Sequence, residues 1–202
     1  MNTIAPFTSE GYYHIYNQIS GKEILFKSDK NRKYFLKRFH FYLKPFLYIH
    51  SYALMSNHFH FSVQVKEENK ILNYLSDVKN EDRTKIMKEF LEPKTSEVSE
   101  TSDVCPENLL NRLIIYQWQR FFVSCTKAFN KSHNRTGNLF RQKFKRSAFD
   151  PELKLQYLQY YIHRNARKHE VVHNFLDYKH TSYHEIINEE DWLIDIPKSL
   201  EW

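Results

Sequence analysis

Phe46-Leu-Tyr-Ile-His-Ser-Tyr-Ala-Leu-Met55-Ser-Asn-His-Phe-His-Phe-Ser-Val-Gln-Val65 is the stretch on which the fold turns. Phe46 to Met55 and Phe59 to Val65 are rich in β-branched and aromatic residues, and only the short polar break around Ser56-Asn57 parts them. Such a pair reads as an antiparallel hairpin. Working back toward the start, Pro45 ends a run in which Phe35, Phe39 and Leu43 recur at four-residue spacing, with Asp29 placed to cap it. That is one amphipathic helix, and Lys33, Lys37 and Lys44 fall on its other face. Before it, Tyr12 to Ile19 reads as a first strand that turns at Ser20-Gly21.

Beyond Lys66 the chain turns polar and acidic, with a helix expected from Lys70 to Leu91 and a flexible acidic linker from Glu92 to Glu107. Leu110, Ile114, Trp118, Phe121, Cys125 and Phe129 then recur every three or four residues and predict a long helix from Leu109 to Lys131. Leu139 to Phe149 reads as a strand after a turn at Gly137. Asp150-Pro151 supplies an N-cap and first helical residue for a last helix reaching about Arg167. The order β-α-β-β-α-β plus a helix predicts an α+β, ferredoxin-like antiparallel sheet with helices packed on one face.

With 202 residues, 41% hydrophobic and 16% aromatic, one substantial core is affordable and disorder throughout is excluded. We read residues 1–202 as one domain, with an acidic, partly flexible insertion at about 66–108 and a short tail at about 189–202. Cys105 and Cys125 lack the spacing of a zinc knuckle or redox pair, which fits a reducing compartment. No apolar run is long enough to span a membrane and no signal peptide opens the chain, so a cytoplasmic protein is expected.

The net charge of +6 allows a polyanionic partner, and its distribution says more. Between Asn108 and Phe149 there is no Asp or Glu, while Arg135, Arg141, Lys143, Lys145 and Arg146 cluster near its end. Phe140, Phe144 and Phe149 interleave with these cations, a pattern suited either to packing or to stacking unpaired bases while phosphates meet the charges. Alternation on a strand would point Arg141, Lys143 and Lys145 the same way.

Two further patterns carry chemistry. In His58-Phe59-His60, alternation sends both imidazoles to one face, where they can share a metal ion. Tyr157, Tyr161 and Asn165 stand at i, i+4 and i+8 of the last helix and so form one stripe. Two imidazoles, a side-chain amide and a phenol together suit phosphoryl transfer, in which the phenol attacks phosphorus and a metal offsets charge on the leaving oxygen. Zinc-assisted hydrolysis by water is the competing chemistry, but it gives Tyr161 and the basic segment no part.

These residues also carry a resemblance. Tyr52-Ala-Leu-Met-Ser-Asn-His-Phe-His-Phe61 resembles the histidine motif of REP-associated tyrosine transposases and their single-tyrosine HUH relatives. Asn134-Arg-Thr-Gly-Asn-Leu-Phe-Arg-Gln-Lys-Phe-Lys145 resembles the basic motif that precedes their tyrosine helix. Tyr161-Ile-His-Arg-Asn165 resembles the motif of the catalytic tyrosine, and Asp177-Tyr-Lys-His-Thr-Ser-Tyr183 the segment after it. The resemblance implies an HUH domain with Tyr161 as nucleophile, His58, His60 and Asn165 as ligands of Mg2+ or Mn2+, and single-stranded DNA with hairpin structure as partner. It implies cleavage and rejoining through a covalent 5′-phosphotyrosine. A domesticated hairpin-binding protein without cleavage is the alternative.

DNA contacts are expected at Arg135, Asn138, Arg141, Lys143, Lys145 and Arg146, with the protein at the nucleoid when bound. Either a monomer or a homodimer is compatible with this reading. The chain departs from the family pattern at Ala166 and Ser56, where many relatives have proline. Without proline at 166 the helix is free to run on through Asn165.

Overall fold

The computed structural model describes residues 4–21, 23–92, 106–141, 143–190 and 192–195, with the side chains of 106–108 excepted. Its centre is a four-stranded antiparallel sheet of β1 (Tyr12–Gln18), β2 (Leu47–Leu54), β3 (His58–Val65) and β4 (Lys145–Phe149), in the order β2-β3-β1-β4. α1 (Asp29–Leu43) joins β1 to β2, and α4 (Pro106–Ser132) leads from β3's side of the chain to β4. Each connection skips the strand lying between its ends, which is the split β-α-β arrangement expected of a ferredoxin-like sheet.

Pleating divides the sheet chemically. Tyr13 and Ile15 of β1 and Phe59, Phe61, Val63 and Val65 of β3 face α1 and α4 and belong to the main core. There the Phe39 and Phe61 rings stack at 4.1 Å, and Trp118 of α4 is wholly buried edge-on to Phe39. The opposite face carries His14, His60 and their neighbours. It is partly covered by α5 (Pro151–His163), whose Leu158 and Ile162 pack on Ala53 of β2. The expected one-sided helical cover therefore holds for α1 and α4, while the tyrosine-bearing helix lies across the other face.

Several local expectations change. Ser28, not Asp29, caps α1: its Oγ accepts from Asn31 N at 3.3 Å, and Asp29 stands one residue inside the helix. The single helix read at 70–91 is two, α2 (Glu68–Asp77) and α3 (Lys85–Leu91), parted where Val78 turns extended. Residues 93–105 of the acidic linker, with Cys105, lie outside the described residues, as does Trp202; residues 106 and 107 already belong to α4. Cys125 is buried, and burial pushes its thiol pKa up.

β4 is also shorter than the strand read from Leu139. The continuous ladder with β1 is Lys145–Phe149; before it Phe140 makes an isolated antiparallel bridge to Ile19, with Arg141 N donating to Gln18 O at 2.9 Å, and Lys143 adopts the left-handed φ of 58°. Phe140 and Phe144 are both buried against Phe122 of α4, so the described residues on either side of the Lys143 turn are wedged under that helix and do not form one continuous strand.

β2 would be an exposed edge, a liability in any open sheet. Leu54 N donates to His180 O at 2.9 Å and Ser182 N to Tyr52 O at 3.0 Å, while Asp195 N donates to Ile49 O at 2.9 Å. Asp195 Oδ2 also accepts from Ile49 N at 2.7 Å and pairs with Lys44 at 2.8 Å. Leu193 and Ile194 are buried and Trp192 stacks on His40, so the described part of the tail seals the sheet. Among the described residues no helix is long and apolar enough to cross a membrane.

Candidate functional site

The site forms where β1, β3 and the end of α5 meet. β3 delivers His58 and His60 to the polar face of the sheet, their ring centroids 5.3 Å apart and nearly perpendicular. Tyr16 lies opposite His60 across the β1–β3 ladder, and its ring stacks on His60 at 5.5 Å. His14, two residues back on the same face, reaches diagonally so that its Nε2 lies 2.9 Å from His60 Nδ1.

α5 starts as its sequence promises. Asp150 accepts from Glu152 N at 3.1 Å and Pro151 occupies the first turn. The helix stops at His163, whose Nε2 meets Ser182 Oγ at 2.9 Å; after Arg164 the short α6 (Asn165–Lys168) follows. The helix thus breaks before 166 even with alanine there, and Ala166 is buried beside Met55 and Tyr178.

The break keeps Tyr161 and Asn165 at the site. The Tyr161 ring is 6.1 Å from His60 and 6.0 Å from His14, edge-on to both. Asn165 is 0% exposed, and neither Oδ1 nor Nδ2 has a hydrogen-bond partner. Its amide is near enough to favour the charged form of His58, an effect smaller than the burial and the His169 ring that oppose it. A buried amide whose polar atoms make no well-formed hydrogen bond is costly in a finished core and suits a ligand position beside His58. Among the described residues no group of three or more His, Cys, Asp or Glu is placed to hold an ion. An ion at His58 and His60 must therefore take an amide, water or substrate oxygen as well, and Asn165 offers the amide.

Burial lowers the pKa of His14 to about 4 and that of His60 well below its ordinary value, with the neighbouring imidazoles adding to the second. His163 is likewise lowered to about 4 by burial. In the unfolded chain the same rings accept a proton near pH 6.5. Between about 6.5 and 4 the unfolded state binds more protons, so stability falls as pH falls through that window. Thermal melts at pH 7.0 and 4.5 should show a lower midpoint at 4.5, and His163→Gln should flatten the dependence. An unchanged midpoint would mean these rings are open to water.

Sequence reading missed two neighbours. His14 follows from strand register alone, once β1 is paired with β3. Lys168 stands seven residues after Tyr161, across the break and at the end of α6; its Nζ is 3.5 Å from the phenol oxygen and 5.0 Å from the ring centroid. Tyr161 also borders a depression of about 440 Å3 lined by Tyr157, Tyr160, Arg164, Arg167 and Lys168. This gives the phenol a cationic approach.

The basic segment divides by what its cations touch. Arg135 pairs with Glu23 at 3.0 Å and donates to Asn130 Oδ1 at 2.9 Å and Asn138 O at 2.8 Å, so it clamps its own loop. Arg146 donates to Ala5 O at 2.6 Å and lies over the Phe7 and Phe144 rings, with its pKa lowered by burial. Asn138, Arg141, Lys143 and Lys145 are exposed. The Arg141 guanidinium faces the Gln18 side-chain oxygen, with Nε and Nη1 at 2.9 Å when that amide presents its oxygen. Lys143, with its left-handed backbone, does not alternate with Arg141 and Lys145 on a strand. Asn138, Arg141 and Lys143, with Arg146 but not Lys145, line a cavity of about 740 Å3 between α4 and the loop, together with Phe122, Phe140 and Phe144. The rings expected to pack or stack are thus, for Phe140 and Phe144, packing residues.

The fold and site define a ferredoxin-like α+β domain with an imidazole pair on β3 and a tyrosine helix laid against it in the same chain. A solved structure of a REP-associated tyrosine transposase bound to a REP hairpin shares this fold. The TM-score is 0.54 at 13% identity, over 95% of this chain and 90% of that one. No family model and no curated protein matches the sequence.

Proposed function

We propose that this chain is a metal-assisted tyrosine transferase that cuts and rejoins single-stranded DNA bearing a hairpin. The convergence of Tyr161, His58, His60 and the buried Asn165 amide carries the reading, and the likeness to the hairpin-bound transposase supports it. The Tyr161 phenol gives up its proton as its oxygen attacks a backbone phosphorus, a P–O bond to tyrosine forms, and the bond to the 3′ oxygen breaks. That oxygen leaves as a 3′-hydroxyl after taking a proton, and the new 5′-phosphotyrosine keeps the strand available for rejoining. Held by His58, His60 and Asn165, Mg2+ or Mn2+ would polarise the phosphodiester and offset charge on the departing oxygen.

The protein's own groups do the rest. Lys168 places a cation beside the phenol, where the phosphate must come, and the Arg164–Arg167 depression offers it a path. Asn138, Arg141, Lys143 and Lys145, all exposed, are the residues we assign to DNA; Arg135 and Arg146 are half-buried and donate to loop and N-terminal carbonyls. The tyrosine helix packs on the sheet of its own chain, and we assign Tyr161 to act in cis.

The test is to incubate the protein with a 3′-end-labelled library of single-stranded hairpins in Mn2+ and resolve the products on a denaturing gel. A label that shifts to the protein, and fails to do so in EDTA, is the expected result. Tight hairpin binding with no adduct across the library would instead support a binding protein.

A further inference from the structure

His60 meets His14 through Nδ1, not through the nitrogen that remains for a metal. Of the two ring nitrogens 2.9 Å apart, one must carry the shared proton. If His14 Nε2 carries it, a neutral His60 has its own proton on Nε2 and has no lone pair there for an ion. If His60 Nδ1 carries it, His60 Nε2 is bare. The neighbouring ligand shows the same arrangement with its direction fixed. His58 Nδ1 lies 2.7 Å from Asn57 Oδ1, and an amide oxygen only accepts, so His58 is protonated on Nδ1 and bare on Nε2. Both imidazoles thus use Nδ1 toward the protein.

We propose that His14 is the positioning residue of His60: its Nε2 accepts the proton on His60 Nδ1, holds the ring by that bond and leaves His60 Nε2 free for the divalent ion. The inference rests on the reading that His58 and His60 hold an ion. His14 is not itself a ligand through Nε2, because that atom is occupied by His60. Its ring is steadied by packing, tilted on Tyr16 at 4.9 Å and edge-on to Tyr161 at 6.0 Å, so the acceptor is held where His60 needs it. Partners of this kind fix the tautomer and raise the basicity of a metal-binding histidine, and their loss typically weakens metal binding roughly 10- to 100-fold.

Two measurements test it. In metal-free protein labelled with 15N-histidine, ring-nitrogen NMR correlations should show His60 protonated on Nδ1 and unprotonated on Nε2. Calorimetric Mn2+ titration should then show His14→Phe, which keeps the ring but has no acceptor, binding roughly 10- to 100-fold more weakly than wild type. His14→Gln, whose amide oxygen can accept in place of Nε2, should recover most of the loss. A merely structural role would not separate Phe from Gln in this way. Should His14→Phe fail to fold, the wild-type tautomer and His14→Gln still decide the matter. His60 protonated on Nε2 overturns the proposal, as does full Mn2+ affinity in His14→Phe beside a wild type that binds. A wild-type chain that takes up no Mn2+ removes the metal reading, and the proposal with it.

Discussion

Tyr161→Phe should bind hairpin DNA as the wild type does and form no covalent adduct, while Tyr157→Phe and Tyr160→Phe form it at wild-type yield. Three tyrosines crowd this end of α5, and geometry separates them. Tyr157 is 70% exposed and makes no ring contact with the imidazoles among the described residues. The Tyr160 oxygen accepts from Arg164 Nη1 at 2.8 Å, with that guanidinium over its ring, so it is engaged outside the imidazole cluster. Tyr161 alone of the three is edge-on to His60 and His14 with Lys168 beside its oxygen. Removing that oxygen removes the atom that bonds to phosphorus, and losses on the order of a millionfold attend removal of a covalent nucleophile. The phenyl ring keeps its packing, so folding and DNA affinity should change little. Tyr16 is the control that matters, since it stacks on His60 from β1. An adduct that survives Tyr161→Phe and vanishes in Tyr16→Phe would move the nucleophile to the sheet and overturn the assignment.

Much of this geometry is legible before any coordinates. Period-2 alternation places His58 and His60 together because a strand leaves no other choice, and the Asp150-Pro151 cap sets where the tyrosine helix begins. The basic segment misleads because strand alternation and a loop wedged into a core both bury aromatic residues. Phe140 and Phe144 stand four apart and are both buried, and a strand with only one buried face would also place them together. What decides against the strand is the left-handed backbone at Lys143, a property of the packed chain. Charge is equally ambiguous. Arg135 and Arg141 read alike in a cationic run, yet one closes a loop through Glu23 and Asn130 while the other is exposed. His14 is invisible for a different reason. Its partner is 46 residues away, and only the β1–β3 register, in which Tyr16 lies opposite His60, brings the two rings together.

Asn165→Leu should make the metal-free protein more stable and the site inert. The wild-type side chain is fully buried and, although its amide lies near His58, neither polar atom makes a well-formed hydrogen bond; an unsatisfied buried polar atom carries a desolvation penalty of about 1–3 kcal/mol. Leucine has nearly the same shape and no polar atom, so the variant should gain stability on that order in denaturant unfolding without Mn2+. With Mn2+ the ranking should reverse. A ligand that binds only the folded state stabilises it by about 2.7 kcal/mol at a concentration of 100 times its Kd, and the variant, short of one ligand, should gain much less. Its adduct yield should fall with its metal affinity. A variant less stable than wild type in both conditions would mean that the amide serves the fold, through ordered water or a shifted rotamer, and would remove Asn165 from the metal site. The predicted crossing is diagnostic because a packing residue has no reason to show it. Stability sacrificed at one position and recovered only when the ion binds is what a site kept for its ligand should display.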